Sequence, residues 1–390
     1  MKNVQKSVPS LFILIALVGF PQISESIFTP VLPAISEALS VTAQTSQLTM
    51  GSYFVGFAIG VLFWGRLSDG IGRRPAMLWG LAVYLLGNFA LWLAPSFNML
   101  LLARTLQAFG AASGSVITQT IMRESFSGVE SERVFAKISA AMALAPALGP
   151  LIGGALATYF DNYRAVFVGL MMMAGLLWVY VLLRLPETRV SIPEIAPWPQ
   201  VATKMMRSPQ VWGYCLLISG INGILFSYYA EAPFIFESHF GLSAVQYGWL
   251  GLLIASASII GALITVFAAG KLAPNTLISG SILVSVLGAG GMWFTADIVI
   301  ASLSMIFLMF LGLYTALPLV LNRALIGFEP VIGTASGLLS FVYYLVISAL
   351  TLLMSAMHDG TVLALPRYTL LVGVAMVLAD QLLVNRNTTE

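Results

Sequence analysis

Charge is what this chain has least of: 9% of its 390 residues are Asp, Glu, Lys or Arg, whereas a soluble globular domain carries roughly 25%. With 59% hydrophobic residues and a mean hydropathy of +0.93, no water-soluble fold hides the apolar surface. The hydrophobicity runs along the whole length, which excludes a soluble domain with a single anchor. Cysteine is almost missing. Cys215 by itself permits no intramolecular disulfide and gives a thiolate metal site no partners, so it reads as a small apolar helix residue. Only two histidines occur, His239 and His358, far apart and in expected loops, without an H-E-x-x-H helix. They are expected at the surface or anchoring loops, and neither a metal nor a cofactor is expected. There is no G-x-x-x-x-G-K-[ST] loop, which excludes an ATP-driven pump in this same chain. No nucleophile–base pair stands at catalytic spacing, which argues against an enzyme. The net charge of +2 is scattered, so no face is built for nucleic acid.

What the chain has is long apolar runs. A spanning helix needs ~20 mostly apolar residues, and such segments lie at about 10–33, 44–64, 76–94, 99–121, 134–157, 165–184, 209–236, 244–268, 275–293, 298–321, 333–356 and 367–385. The first is longer than a secretory h-region and no small-residue cleavage site follows, so it is expected to be retained. Lysine and arginine stay on the cytoplasmic side. An N-terminus inside puts Lys2, Lys6, Arg66, Arg73, Arg74, Arg123, Arg133, Lys137, Arg184, Arg189, Lys204, Arg207, Lys271, Arg323 and Arg386 there, leaving Arg164 and Arg367 outside. Residues 185–208, with Pro186, Pro193, Pro197 and Pro199 and no insertable run, read as a linker. Gly65-Arg66-Leu67 recurs as Gly270-Lys271-Leu272, and nearly the same shift carries Glu25 to Glu231. Each echo alone is compatible with chance. With the midpoint linker they favour a duplicated architecture, the sort that places a site between two rocking halves. The expected fold is an all-α membrane protein of twelve transmembrane helices in two pseudo-symmetric six-helix bundles, 1–184 and 209–390, joined by a cytoplasmic linker at 185–208. Two such halves suffice for a monomer.

After the second span the chain reads Gly65-Arg66-Leu67-Ser68-Asp69-Gly70-Ile71-Gly72-Arg73-Arg74-Pro75. Glycines permit a tight turn, Asp69 can oppose a helix dipole, and Arg73 and Arg74 stay in water near anionic lipid. Arg123 and Glu124, at the inner end of span four, can pair with this loop as gate residues or form a solvated loop pair. Within span four, Arg104 costs at least ~2.5–3.5 kcal/mol in hydrocarbon unless paired or hydrated. It is either a cation beside a water-filled cavity or a structural pair that fixes helix contacts. In span five, Pro150 removes a backbone bond while Gly149, Gly153 and Gly154 offer small surfaces for close helix approach.

Span one carries Gln22, Glu25, Ser26 and Thr29 at i, i+3, i+4, i+7, a polar stripe that must face protein or water. Glu25 and Arg104 fall at similar depth and Glu231 sits comparably in span seven, so these three are the candidates for proton coupling. Tyr53, Gln107, Asn222 and Tyr228 are cavity candidates that can equally hydrogen-bond neighbouring helices. Phe28, Tyr229, Phe234, Tyr343 and Tyr344 can stack on a planar or cationic solute, or serve as core.

The loop after span two resembles the signature G-x-L-x-D-x-x-G-R-[RK] of the major facilitator superfamily at every defining position. The Arg104 segment resembles that superfamily's span-four motif, whose arginine is implicated in proton transfer. Gly149-Pro150-Leu151-Ile152-Gly153-Gly154 resembles the motif of its drug:proton antiporters. Pro30-Val31-Leu32-Pro33, Arg123-Glu124, Leu185-Pro186-Glu187-Thr188 and Gly333-Thr334-Ala335-Ser336-Gly337 look like the Bcr/CflA drug-resistance branch. That branch carries an aspartate four residues before the first proline of P-x-L-P. Here the position is Ser26 and the carboxylate is Glu25, one step or ~100° around the helix.

The resemblance implies a proton-coupled secondary transporter in a bacterial cytoplasmic membrane, with both termini inside, exporting drug-like compounds against protons. Its partners would be a small organic solute, protons and the bilayer. One alternative is a dedicated transporter of a siderophore, nutrient or metabolite; another, of a different class, is a non-transporting receptor or scaffold.

Overall fold

The computed structural model of this chain describes residues 9–126, 134, 137, 138, 141, 142, 144–189, 198–268, 270–328 and 331–385. Among the described residues, eleven helical segments are long and apolar enough to cross a membrane, and Ala147–Phe160 is a shorter apolar helix in the place of the fifth span. In hydrocarbon a backbone must satisfy its own hydrogen bonds, which a helix does within one segment. Ser10, Thr42, Ser96 and Ser208 start four of the helices, each hydroxyl accepting from the N–H three residues on.

The first half comprises α1 (Leu11–Ser26), α2 (Leu32–Ala38), α3 (Ala43–Ile71), α4 (Arg73–Leu93), α5 (Phe97–Ser125), α6 (Ala145–Phe160) and α7 (Arg164–Arg184). After α8 (Trp198–Met206), the second half is α9 (Pro209–Pro233), α10 (Ala244–Ala268), α11 (Pro274–Thr295), α12 (Val299–Arg323), α13 (Ile332–Met357) and α14 (Ala364–Ala379). Helices α3, α4 and α5 pack tightly together, and α12 packs against both α10 and α11; the halves meet chiefly through α3 against α13 and α6 against α10. Small residues set these approaches: a Cβ on Gly56 or Gly110 would collide with the backbone of Thr105 or Tyr84, and one on Gly312 with the Ser281 carbonyl. The outward faces are apolar, with Trp79, Leu102, Leu183, Phe294 and Ile300 exposed, while Asn88, Arg104, Gln107 and Glu231 are buried. That inverted polarity makes the chain a multi-pass membrane protein.

Three segments differ from the sequence expectation. Span one breaks after Ser26 into a 3-10 turn over Thr29–Val31 before α2, because Pro30 and Pro33 supply no N–H to continue the helix. The linker holds the helix α8, whose Val201 and Met205 at i, i+4 are buried; residues 190–197 lie outside the described ones. Span seven continues beyond Pro233 as a π turn, Phe234–His239. The expected start of span five, at 134–144, lies partly outside the described residues, as do Lys2, Lys6, Arg133 and Arg386.

Candidate functional site

Arg104 is wholly buried. Its guanidinium carbon stands 4.5 Å from the centroid of Phe28 and 4.3 Å from that of Tyr53, a sandwich between α3 and the break in span one. Nη1 donates to the Ser24 carbonyl at 3.2 Å and to Gln107 Oε1 at 2.5 Å, and Nη2 to the Glu25 carbonyl at 3.4 Å. Gln107 is oriented in turn by donating to Asn88 Oδ1 at 2.6 Å, and Asn88 donates to the Tyr84 carbonyl. Nε has no partner. The Glu25 carboxylate, 6% exposed, forms no ion pair with Arg104; the contact between the two residues runs through the Glu25 backbone. The cation is therefore held by dipoles and ring faces, with donor capacity left over.

At the end carrying the Gly65–Arg74 loop, only Gly72 joins α3 to α4, at φ +104°, a backbone region that a side chain would strain. Arg73 is 2% exposed and bonds Asp69 at 2.5 Å, Ser68 Oγ at 2.8 Å and Glu124 at 2.6 Å. The chain after α7 clasps the same turn. Glu187 accepts the backbone N–H groups of Arg73 and Arg74 at the start of α4, and Arg189 donates to the carbonyls of Asp69 and Gly70 at the end of α3. An anion thus sits at a helix N-terminus and a cation at a helix C-terminus, each matched to the dipole. Thr188 donates to Glu124, and Arg74 to the Leu182 carbonyl.

The far end closes the two halves on each other. Gln47 Nε2 of α3 donates to Glu231 Oε2 at 2.6 Å, and His358 Nδ1, just beyond α13, lies 2.9 Å from both Glu231 oxygens. Ser348 and Ser355 of α13 donate to the carbonyls of Gly51 and Gln44 in α3. Gly154 and Gly248 admit no Cβ where α6 crosses α10. At mid-depth, Phe54 meets Phe226 at 4.4 Å and Phe57 meets Tyr344 at 4.7 Å between ring centroids. Among the described residues, the polar contacts between halves lie at this far end.

The Major Facilitator Superfamily profile matches residues 12–351. The chain belongs to that superfamily. It is 32% identical over 366 residues to an uncharacterized transporter of Rickettsia bellii, covering 90% of each chain. It is 29% identical to a chloramphenicol resistance protein of Pseudomonas aeruginosa (80% of this chain, 75% of that one) and 28% identical to multidrug resistance protein D of Escherichia coli (86% and 85%). In fold it matches a peptide transporter at a TM-score of 0.77 with 14% identity (97% and 94%), and an inward-facing bacterial Spinster homologue at 0.72 with 17% (97% and 96%). Membership makes the chain a transporter rather than an enzyme.

On the superfamily frame, the residues singled out from sequence separate into groups. Phe28, Tyr53, Gln107 and Arg104 form one cluster, in which Gln107 and Tyr53 are fully buried and hold the arginine. Gln107 has both amide ends occupied. Gln22 is exposed, but Ser26 and Thr29 leave the stripe, donating to their own backbone at the Gln22 and Ser26 carbonyls. Ser26 packs against Gly149 and Ile27 against Gly153, so these glycines fit α6 to span one, while Pro150 and Gly154 face α10. Asn222 is half-buried and donates back to the Ile218 carbonyl; Tyr228 is buried with its hydroxyl unpartnered. Tyr343 and Tyr344 are half-buried, their rings 4.5 Å apart. Arg123 is exposed and stands apart from the loop that its neighbour Glu124 joins, because adjacent helical side chains diverge by ~100°. Gly65 meets Val116 at ordinary contact distance. His358, expected at the surface or anchoring a loop, ties the chain just beyond α13 to Glu231. Gln47, Asn88, Glu187 and His358 were not legible as site residues, since their partners lie far away in sequence; the hydroxyl row Ser348, Thr351, Ser355 at i, i+3, i+7 was a readable signal for an interface.

Proposed function

We propose that this chain is a proton-coupled exporter of small, drug-like organic solutes, working by alternating access between halves 1–184 and 209–390 in a bacterial cytoplasmic membrane. The loop-bearing end faces the cytoplasm, as the distribution of basic residues favours, and both termini lie there. With the contacts between halves concentrated at the far end, the described conformation is read as closed outward and open inward. The observation that carries the proposal is Arg104: a buried cation with an unpartnered Nε, beside a buried carboxyl, Glu25, that it does not pair with. An uncompensated buried charge is costly, and a proton on the carboxyl removes that cost. Glu25 therefore carries a proton in this state. Rocking brings its carboxylate to the free donor of Arg104, the proton leaves, and the cycle returns when the pair separates. Glu231 is the corresponding candidate of the second half. The resistance proteins among the relatives support an amphipathic cargo, and the rings of Tyr343 and Tyr344 and the amide of Asn222 suit one.

The test is purified protein in liposomes carrying an internal pH dye, challenged with a panel of drugs, siderophores and metabolites. Proton movement with several unrelated drugs is the expected result. A response to one metabolite or siderophore alone replaces the reading with a dedicated transporter, and no cargo-dependent proton movement overturns it.

A further inference from the structure

Between the halves at the far end lies a pocket of about 450 Å³, walled by Ser36 and Glu37 of α2, His239 and Thr361, with Glu231 and His358 at its lining. We infer that Glu231 and His358 form a proton-binding lock on the far-end gate, reached from the medium through this pocket and latched across the halves by Gln47. The inference rests on alternating access and goes beyond the cargo and the Glu25–Arg104 coupling proposed above.

The geometry assigns a part to each group. His358 Nδ1 faces both carboxylate oxygens at 2.9 Å, so it carries its hydrogen toward Glu231. Gln47 Nε2 lies 3.3 Å from that same nitrogen, a contact between two donors, and its acceptor is Glu231 Oε2 at 2.6 Å. Turning the amide over would set its oxygen against the carboxylate. One carboxylate is thus shared by an imidazole of its own half and an amide of the other. Glu231 is 1% exposed and Gln47 is fully buried, whereas the His358 side chain is 11% exposed. The medium reaches the imidazole, and a proton taken there turns a hydrogen bond from a neutral donor to the carboxylate into a hydrogen-bonded ion pair.

The charges of Glu231 and Asp359 act on His358 in the same sense. Glu37 on α2, and Glu237 and His239 on the π turn, are the titratable groups nearby, and Asp359 follows His358 in sequence. Asp359 is engaged by Arg367 at 2.6 Å. The Glu231 hydrogen bond and charge hold the His358 imidazolium above its ordinary range; partial burial opposes this and Asp359 adds to it. Opening the gate withdraws Gln47 and admits water, which weakens the pair and returns His358 toward its usual value of 6.5. The proton binds the closed form more tightly, so protons favour closure. The stabilisation is complete below 6.5 and is lost as the far-side pH rises through the raised value of the closed form.

The distance experiment uses full-length protein in lipid nanodiscs without cargo, in a Glu25→Gln background so that the coupling carboxyl proposed above does not titrate, spin-labelled at Ala38→Cys and Asp297→Cys, with buried Cys215 left in place. The interspin distance distribution is recorded from acid to alkaline pH. The ratio of closed to open populations should fall as the pH rises, and His358→Gln should make it independent of pH. In parallel, NMR follows the imidazole of His358, assigned with His239→Gln, in otherwise wild-type protein and in Glu231→Gln; its midpoint should drop in the variant. In the Glu25→Gln background, a distance that ignores pH with His358 present or a response that survives His358→Gln overturns the lock, as do equal imidazole midpoints with and without Glu231. None of these readouts needs a cargo, so failure here leaves the Glu25–Arg104 reading untouched, and failure of that reading leaves this one.

Discussion

An arginine with no ionised partner at the centre of a membrane protein is expensive, and this chain answers the expense with two ring faces, an amide and backbone carbonyls. Arg104→Lys keeps the charge but loses the fork that serves Ser24, Glu25 and Gln107 together. Hydrogen bonds to a charged group contribute about 1.5–3 kcal/mol each, so cargo-driven proton movement should fall about tenfold or more while detergent-solubilised protein stays folded. Glu25→Gln keeps the shape and removes the titration. Its expected signature is loss of gradient-driven transport with cargo exchange preserved, read by labelled-substrate counterflow; unchanged uphill transport would remove Glu25 from the coupling role.

At the scale of helices, close approach is decided by glycine and terminal charge by the linker. Gly56→Leu drives a side chain into the Thr105 backbone, an overpacking worth about 1–3 kcal/mol. Gly175→Leu enters open space. Thermal unfolding in detergent should separate the two, with the melting temperature lowered by the first substitution alone. Glu187→Ala removes the acceptor at the start of α4, a loss of about 1 kcal/mol by comparison with other N-terminal caps. The segment from Leu185 onward should then be cut faster by protease at the loop-bearing end, with transport still measurable.

For the whole molecule, the contacts that define its state span the halves: Ser355 to Gln44, Ser348 to Gly51, Gln47 to Glu231. Joining Gln44→Cys and Ser355→Cys with a short bifunctional reagent should hold the far end shut, stop transport, and be reversed when a cleavable spacer is cut. Transport that continues through the cross-linked form would mean that these helices do not part during the cycle. Such relations are invisible along the chain, where Gln44 and Ser355 are separated by 311 positions.

Hydropathy and length made the spans and the membrane environment readable, because a bilayer imposes one simple rule on every helix that crosses it. The signature loop and Arg104 were legible too, since unusual residues at fixed spacing inside apolar helices need a reason. The sequence did not determine which polar groups meet. A periodic stripe tells that Ser26 and Thr29 face protein or water; only packing decided that Gln107 serves Arg104, that Ser26 backs onto Gly149, and that Glu231 is the partner of His358. Each of these depends on how helices distant in sequence are rotated and pressed together, and a rotation of one residue reassigns every partner.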